Sequence, residues 1–396
     1  MPDSPLPGLL PEADRRRLFA VGCLSMFVFG MVIAMLGTLF GLPEMRARLG
    51  IDLAQQGQLF SVLFVGILVA TVLAGPMIDR FGSKSVIVSA SAMVTIALAF
   101  FTGARGFGAA VTAAALLGFG GGWLNIGGNA LVSDVYPESR GRMLKLVGTF
   151  FGIGALFVPL LVWVTFDRLT IGGTLAACLA VAAACTLVAL PLRFPPPREA
   201  ATFSFRDYLA TARYPGVLLL GALLFFQSGN EATLSGWTST YIGSVGWPPR
   251  AATAILLGYW VMAVVGRALS SRAQAWLGKP GLVLAAALLA AAGCLALLAG
   301  AGSLAALAVS AWVTSLALSA VFPTTLAIAG DRYHRYAGSV FGFLFTIANF
   351  GGMLFPWALG QVSQVAGVRW GMVVPLVGTL AVAALALALK NGRTSM

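Results

Sequence analysis

The chain has 396 residues, 59% of them hydrophobic and only 10% charged, with a mean hydropathy of +0.92. That composition excludes a soluble globular protein, whose surface could not be kept polar. The formal net charge of +12 comes with no basic stretch interleaved with aromatics, which excludes nucleic-acid binding and reads as membrane topology and contact with anionic lipid headgroups.

A membrane-spanning helix needs about 20 mainly apolar residues, and the uncharged gaps supply them in order. Six gaps of 20 to 28 residues run from Arg17–Glu44 to Arg168–Arg193. The first follows "RRR" as a signal peptide would, but it has no small-residue cleavage site and is read as an uncleaved helix. Further gaps lie at Arg213–Arg250, Arg250–Arg272, Lys279–Asp331, Arg335–Arg369 and Arg369–Lys390. Lys279–Asp331 encloses 51 residues, and Gly300–Ser303 offers it a turn. The total is twelve spans. With the N-terminus in the cytoplasm, 18 Lys and Arg fall on the cytoplasmic side and 6 outside, with Arg267 inside a span; both termini are therefore expected in the cytoplasm of a plasma-membrane protein.

The second half repeats the first. At an offset of 197, Asp134 matches Asp331, Gly154 matches Gly351 and Pro159 matches Pro356; at 196, Gly82 matches Gly278. Six spans separate equivalent points, so the copies share one sense in the membrane and any central site is expected between them. The expected units are 1–193, a cytoplasmic linker at 194–213 rich in Pro and charge, and 214–396. The expected fold is all-α, with two pseudo-symmetric six-helix bundles.

Cys23, Cys178, Cys185 and Cys294 fall within spans as small hydrophobes. The lone histidine, His334, falls in a loop. Neither a metal site, nor a catalytic triad, nor a nucleotide-binding loop is visible, so no enzyme activity and no cofactor are expected.

In the seventh span, Glu231 is the one charged residue between Arg213 and Arg250. A carboxylate at bilayer depth costs roughly 2.5 to 3.5 kcal/mol on insertion scales, so it must face protein or a watery cavity. Gln227, Asn230, Glu231, Ser235 and Thr238 are spaced to share one helix face, read as a stripe towards the seam between halves. Glu231 has three open roles: bonding its neighbours, accepting substrate hydroxyls, or carrying a proton. Asn125 and Asn129 on span four, Asn349 on span eleven, Tyr259 on span eight and Trp312 on span ten could complete a substrate site. For each, helix bridging or packing is the competing role. Arg267, five residues before Arg272, reads first as a snorkelling side chain and second as a gate ion pair or substrate contact. With one carboxylate, several amides and no obvious deep cation, an uncharged solute is preferred over an organic anion.

The loop "GPMIDRFGSK", Gly75 to Lys84, resembles the G-x-x-x-D-R-x-G-x-K signature of the major facilitator superfamily. The resemblance implies a cytoplasmic gate built from Gly75, Asp79, Arg80, Gly82 and Lys84, with Asp79 at a helix N-terminus of the other half and Arg80 paired to Asp134. The second copy has Ala275 and Trp276 in place of Asp79 and Arg80, so its latch is expected to be lost. Gly120 to Leu161 and Ser228 to Ser270 are similar to spans four and five and spans seven and eight of fucose-permease-type sugar transporters. This implies a monomeric secondary transporter of a sugar or similar small polar solute, with symport of protons as one form of coupling. The first span holds no acidic residue, and Lys145 and Gly148 stand where relatives carry Asn and His, so those coupling residues do not carry over. Competing readings are an efflux pump for amphipathic compounds and a transporter-like receptor that does not translocate.

Overall fold

The structure is a computed structural model that describes residues 11–166, 168, 170–196, 213–300, 302–333 and 337–392. Most of the linker expected at 194–213, and His334, lie outside the described residues.

Ten helical segments are long and apolar enough to cross a membrane. Two of them, Leu53–Gly103 and Pro249–Ala299, have 51 residues each. At 1.5 Å per residue such a helix would measure about 77 Å, against a hydrocarbon core of about 30 Å, so each must be two spans. Each bends at a glycine in the left-handed region, Gly82 with φ 78° and Gly278 with φ 66°. A Cβ would strain that conformation, which is why glycine occupies both places. These two residues are equivalent in the internal repeat. The ten segments thus become twelve spans.

Span 1 is Glu12–Phe40, spans 2 and 3 are 53–81 and 83–103, span 4 is Phe107–Val135, span 5 is Arg140–Val164 and span 6 is Ile171–Ala189. Span 7 is Pro215–Ser244, spans 8 and 9 are 249–277 and 279–299, span 11 is Ala337–Ala366 and span 12 is Val373–Lys390. Span 10 is broken into Leu304–Leu318 and Val321–Arg332, an interruption the uncharged gap did not reveal. A short helix, Pro43–Leu49, also lies between spans 1 and 2. Polar caps set several of the starts. Asp52 and Gln55 form a capping box before span 2, and Thr170 and Ser303 accept from the backbone N–H of Gly173 and Ala306. Ser303 sits in the turn expected at Gly300–Ser303.

The repeat is visible in packing as well. Gly154 on span 5 lies against the backbone of Phe27 on span 1, and Gly351 on span 11 lies against the backbone of Phe225 on span 7. Neither place has room for a Cβ. The absence of a side chain lets each helix pair approach closely, a device suited to lipid, where helix association rests on packing. Spans 5 and 11 also keep Pro159 and Pro356 at equivalent depth. The fold is an all-α membrane bundle of two pseudo-symmetric six-span halves.

Candidate functional site

Besides the contact of span 1 with span 7, the halves meet along two seams, span 2 with span 11 and span 5 with span 8. The repeat exchanges one seam for the other. On the side opposite the N-terminus the halves are sealed. Gln56 Nε2 donates to Thr240 Oγ1 at 3.0 Å, and Thr240 Oγ1 donates to the Phe40 carbonyl at 3.3 Å. Ser61 Oγ donates to the Met353 carbonyl at 2.7 Å, and the Leu53 N–H to Gln364 Oε1 at 3.1 Å. Gly57 abuts the Pro356–Gly360 backbone, Gly37 the backbone of Ser235, and Phe60 lies 6.3 Å from the Trp237 ring.

On the N-terminal side, among the described residues, the polar bonds run within a half. Arg15 pairs with Glu138, Lys84 Nζ donates to the Leu192 carbonyl at 2.9 Å, and Lys279 pairs with Asp331. Arg80 lays its guanidinium over the Phe81 ring at 5.1 Å, and no ion pair between Arg80 and Asp134 is present among the described residues. Gly75 is exposed, Gly82 forms the bend, and Arg140 Nε donates to Ser133 Oγ beside Asp134. Among the described residues no ion pair joins Asp79 or Arg80 to the other half, and the conformation is closed on the side away from the N-terminus.

Between these ends, at the middle of span 7, lies the charge. Glu231 Oε1 accepts from Arg267 Nη2 of span 8 at 3.0 Å, with the side chains 24% and 34% exposed. The Arg267 guanidinium also stands 5.6 Å from the centre of the Phe151 ring on span 5, across the seam, within range of a cation–π contact. One residue on, Gly152 of span 5 faces Val264 of span 8. Carboxylate, guanidinium and aromatic ring therefore come from three spans and both halves.

This corrects three expectations. Arg267 does not snorkel; it is a deep cation held by Glu231, so the ground for preferring an uncharged solute over an anion falls away. Nor does the span 7 stripe turn to the seam as a unit. Gln227 is fully buried and donates through Nε2 to the Leu318 carbonyl at 2.9 Å, where span 10 breaks. Asn230, also fully buried, packs against Gly378 of span 12 inside its own half. Ser235 and Thr238 bond back to the Glu231 and Leu234 carbonyls of their own helix. Of the stripe, Glu231 alone is left partly open.

The other candidates are dispersed. Asn129 Nδ2 donates to the Asn125 carbonyl at 2.8 Å and lies 3.6 Å from Met26 Sδ, a half-buried group where span 4 meets span 1. Asn349 bonds back to the Phe345 carbonyl at 2.9 Å, one helical turn from Gly352, which abuts Phe64 of span 2. Trp312 donates its indole N–H to the Ile255 carbonyl at 3.0 Å, bracing span 10 on span 8. Tyr259 is buried, and its carbonyl accepts from Ser315 Oγ at 2.6 Å. The residues of the sealed side, Gln56, Ser61, Thr240 and Gln364, were missed in the sequence. Their signal was the polar cluster Gln55, Gln56 and Gln58 at the start of an otherwise apolar span.

Comparison with known proteins agrees with this architecture. The chain is 28% identical over 137 residues to solute carrier family 2, facilitated glucose transporter member 10, of Danio rerio, covering 34% of this chain and 26% of that protein. It is 26% identical over 157 residues to a probable vesicular acetylcholine transporter-B of Danio rerio, covering 38% of this chain and 32% of that protein. The matches thus span about a quarter to a third of these curated relatives. Among solved structures, a mutant form of the nucleoside transporter NupG superposes with a TM-score of 0.80 at 16% identity, covering 96% of this chain and 99% of that one. A bacterial homologue of the human lysosomal transporter Spinster, inward-facing and unoccupied, gives a TM-score of 0.76 at 17% identity, covering 96% and 98%. At such identities the structures speak for the fold alone. The family model that matches residues 22–301 is that of the Major Facilitator Superfamily. With well over half of the chain inside that match, the protein belongs to the Major Facilitator Superfamily.

Proposed function

We propose that the protein is a secondary transporter that carries a small polar solute, a sugar or sugar-like compound, by alternating access. The observation that carries this reading is the Glu231–Arg267 pair at 3.0 Å, set against Phe151 of the other half. An ion pair at bilayer depth is costly to build, and the partial exposure of both side chains leaves Glu231 Oε2 and the remaining guanidinium N–H groups free to bond a solute. Among the described residues the two sides of the seam differ as alternating access requires, with bonds between halves on one side and within halves on the other. Residues 1–193 and 214–396 act as the two rocking units. The loop Gly75–Lys84, with Asp79, Arg80 and Asp134, acts as the gate of the N-terminal side. The excess of Lys and Arg on that side supports cytoplasmic termini in a plasma membrane.

Proton coupling through Glu231 requires its pair with Arg267 to open at some point in the cycle, since a carboxyl cannot carry a proton and hold a guanidinium at once. The test is solute uptake into proteoliposomes with and without a pH gradient, comparing wild type with Glu231→Gln. Coupling through Glu231 predicts that the substitution abolishes gradient-driven accumulation while exchange persists. Accumulation that survives intact would remove Glu231 from coupling. Dye extrusion without solute exchange would favour efflux of amphipathic compounds, and saturable binding without exchange would favour a receptor.

A further inference from the structure

We infer that the solute is an anion, whose acidic group docks on Arg267 after entering between spans 5 and 8 past Lys145. The inference rests on the transport reading above and adds the charge of the substrate to it. Three observations converge on that mouth. Arg267 stands on the seam rather than behind it, over Phe151 of the opposite half. Among the described residues its one side-chain hydrogen bond is to Glu231 Oε1, which leaves donors of the guanidinium fork for carboxylate or phosphate oxygens.

Lys145 is the second cation of the mouth. It lies seven residues, two helical turns, before Gly152, and Gly152 is the residue of span 5 that faces Val264 of span 8. The same register therefore puts Lys145 on the span 5 face that looks toward span 8, nearer the N-terminal side than Arg267. A cleft of about 440 Å³ beside it is lined by span 5 alone, by Arg142, Lys145, Leu146 and Thr149, so of its cations only Lys145 shares the seam register.

The third observation is the shortage of opposing charge. Among the described residues no carboxylate pairs with Arg142 or Lys145; Glu138 and Asp331 are engaged by Arg15 and Lys279, and Glu231 by Arg267. A general excess of Lys and Arg at one membrane face would follow from topology alone. An unpaired cation, Lys145, on the helix face that borders the seam is more specific, and it attracts anions. The Glu231 carboxylate makes the site neutral when empty, so an arriving anion competes with Glu231 for Arg267 and is favoured by the basic mouth.

The test is counterflow in proteoliposomes with glucose, gluconate, glucuronate and glucose 6-phosphate as probes, for wild type, Lys145→Gln and Lys145→Glu. The expected result is exchange of one or more acidic probes and not of glucose, the carboxylate and phosphate arms separating the two anion types. Lys145→Glu should raise KM about ten-fold with kcat little changed, and the effect should shrink in about 0.5 M salt, as electrostatic attraction at an open mouth requires. Exchange of glucose as fast as its acids, or a KM indifferent to Lys145→Glu, would overturn the anion and leave the transport reading standing. No exchange of any probe by wild type, with dye extrusion or simple binding in its place, would remove both.

Discussion

The two seams descend from one contact, yet they have become different devices. Span 2 meets span 11 through Gly57 and Gly360, close enough for backbone to touch backbone, with Gln56, Ser61 and Gln364 bonding across the halves or to the facing end of span 7. At the equivalent places of the other seam, offsets of 196 and 197 put Thr253 and Trp163. Neither equivalent is a glycine, and this pair meets at Gly152–Val264 and Phe151–Arg267. Duplication thus supplied one small-residue seam and one charged seam, the latter being where the proposed solute site lies. The difference lies in a few side chains on a common frame.

The sharpest way to break the comparison is to jam the small-residue seam. A Cβ on Gly57 would come within 2.8 Å of the Pro356 carbonyl and 3.1 Å of the Gly360 Cα, so Gly57→Leu cannot close this side. We expect transport to fall to background while the protein still folds, read by counterflow alongside a thermal melt. Next in size is the charged seam. Arg267→Gln leaves Glu231 unpaired, and breaking a buried pair costs about 3 to 5 kcal/mol, reduced to about 1 to 3 here because both side chains are partly exposed. The double change Glu231→Gln, Arg267→Gln should regain most of that stability and none of the transport. A double-mutant cycle in thermal stability checks it, and strict additivity would deny the pair.

The bend glycines come third. Gly82→Ala and Gly278→Ala each force a Cβ into positive-φ backbone that is essentially glycine-only, at a cost of about 1 to 3 kcal/mol, and the repeat predicts similar losses at the two sites, measured by melting in detergent. The smallest effect belongs to Thr240→Val. It removes one hydroxyl between Gln56 and the Phe40 carbonyl, a link of about 0.5 to 1.5 kcal/mol, and should shift the gate equilibrium two- to ten-fold, read as side-specific thiol accessibility.

Much of this was legible in the sequence because it depends on position along the chain. Charge gaps give the spans, and a common offset gives both the repeat and the paired bends at Gly82 and Gly278. Glu231 is deep because it lies mid-gap. The partner of Glu231 was not legible, because the meeting of spans 7 and 8 depends on how each helix is rotated and how far it slides. The same limit misled the polar stripe. A helical face about 100° wide touches more than one neighbour in a bundle, so Asn230 reached span 12, Gln227 reached span 10 and Glu231 reached span 8. Periodicity gives a face; packing decides what it meets. Arg267 was visible as a cation inside a span, but its reading turned on that missing partner.

The central claim is that the charged seam lies open to the N-terminal side when the small-residue seam is closed, and to the other side when it cannot close. Phe151→Cys tests it directly, because the native cysteines Cys23, Cys178, Cys185 and Cys294 are all buried and give little background labelling. A membrane-impermeant thiol reagent should label Cys at this place from the N-terminal side in an otherwise wild-type protein, and from the opposite side once Gly57→Leu is added. Labelling from the same side in both proteins would contradict the account.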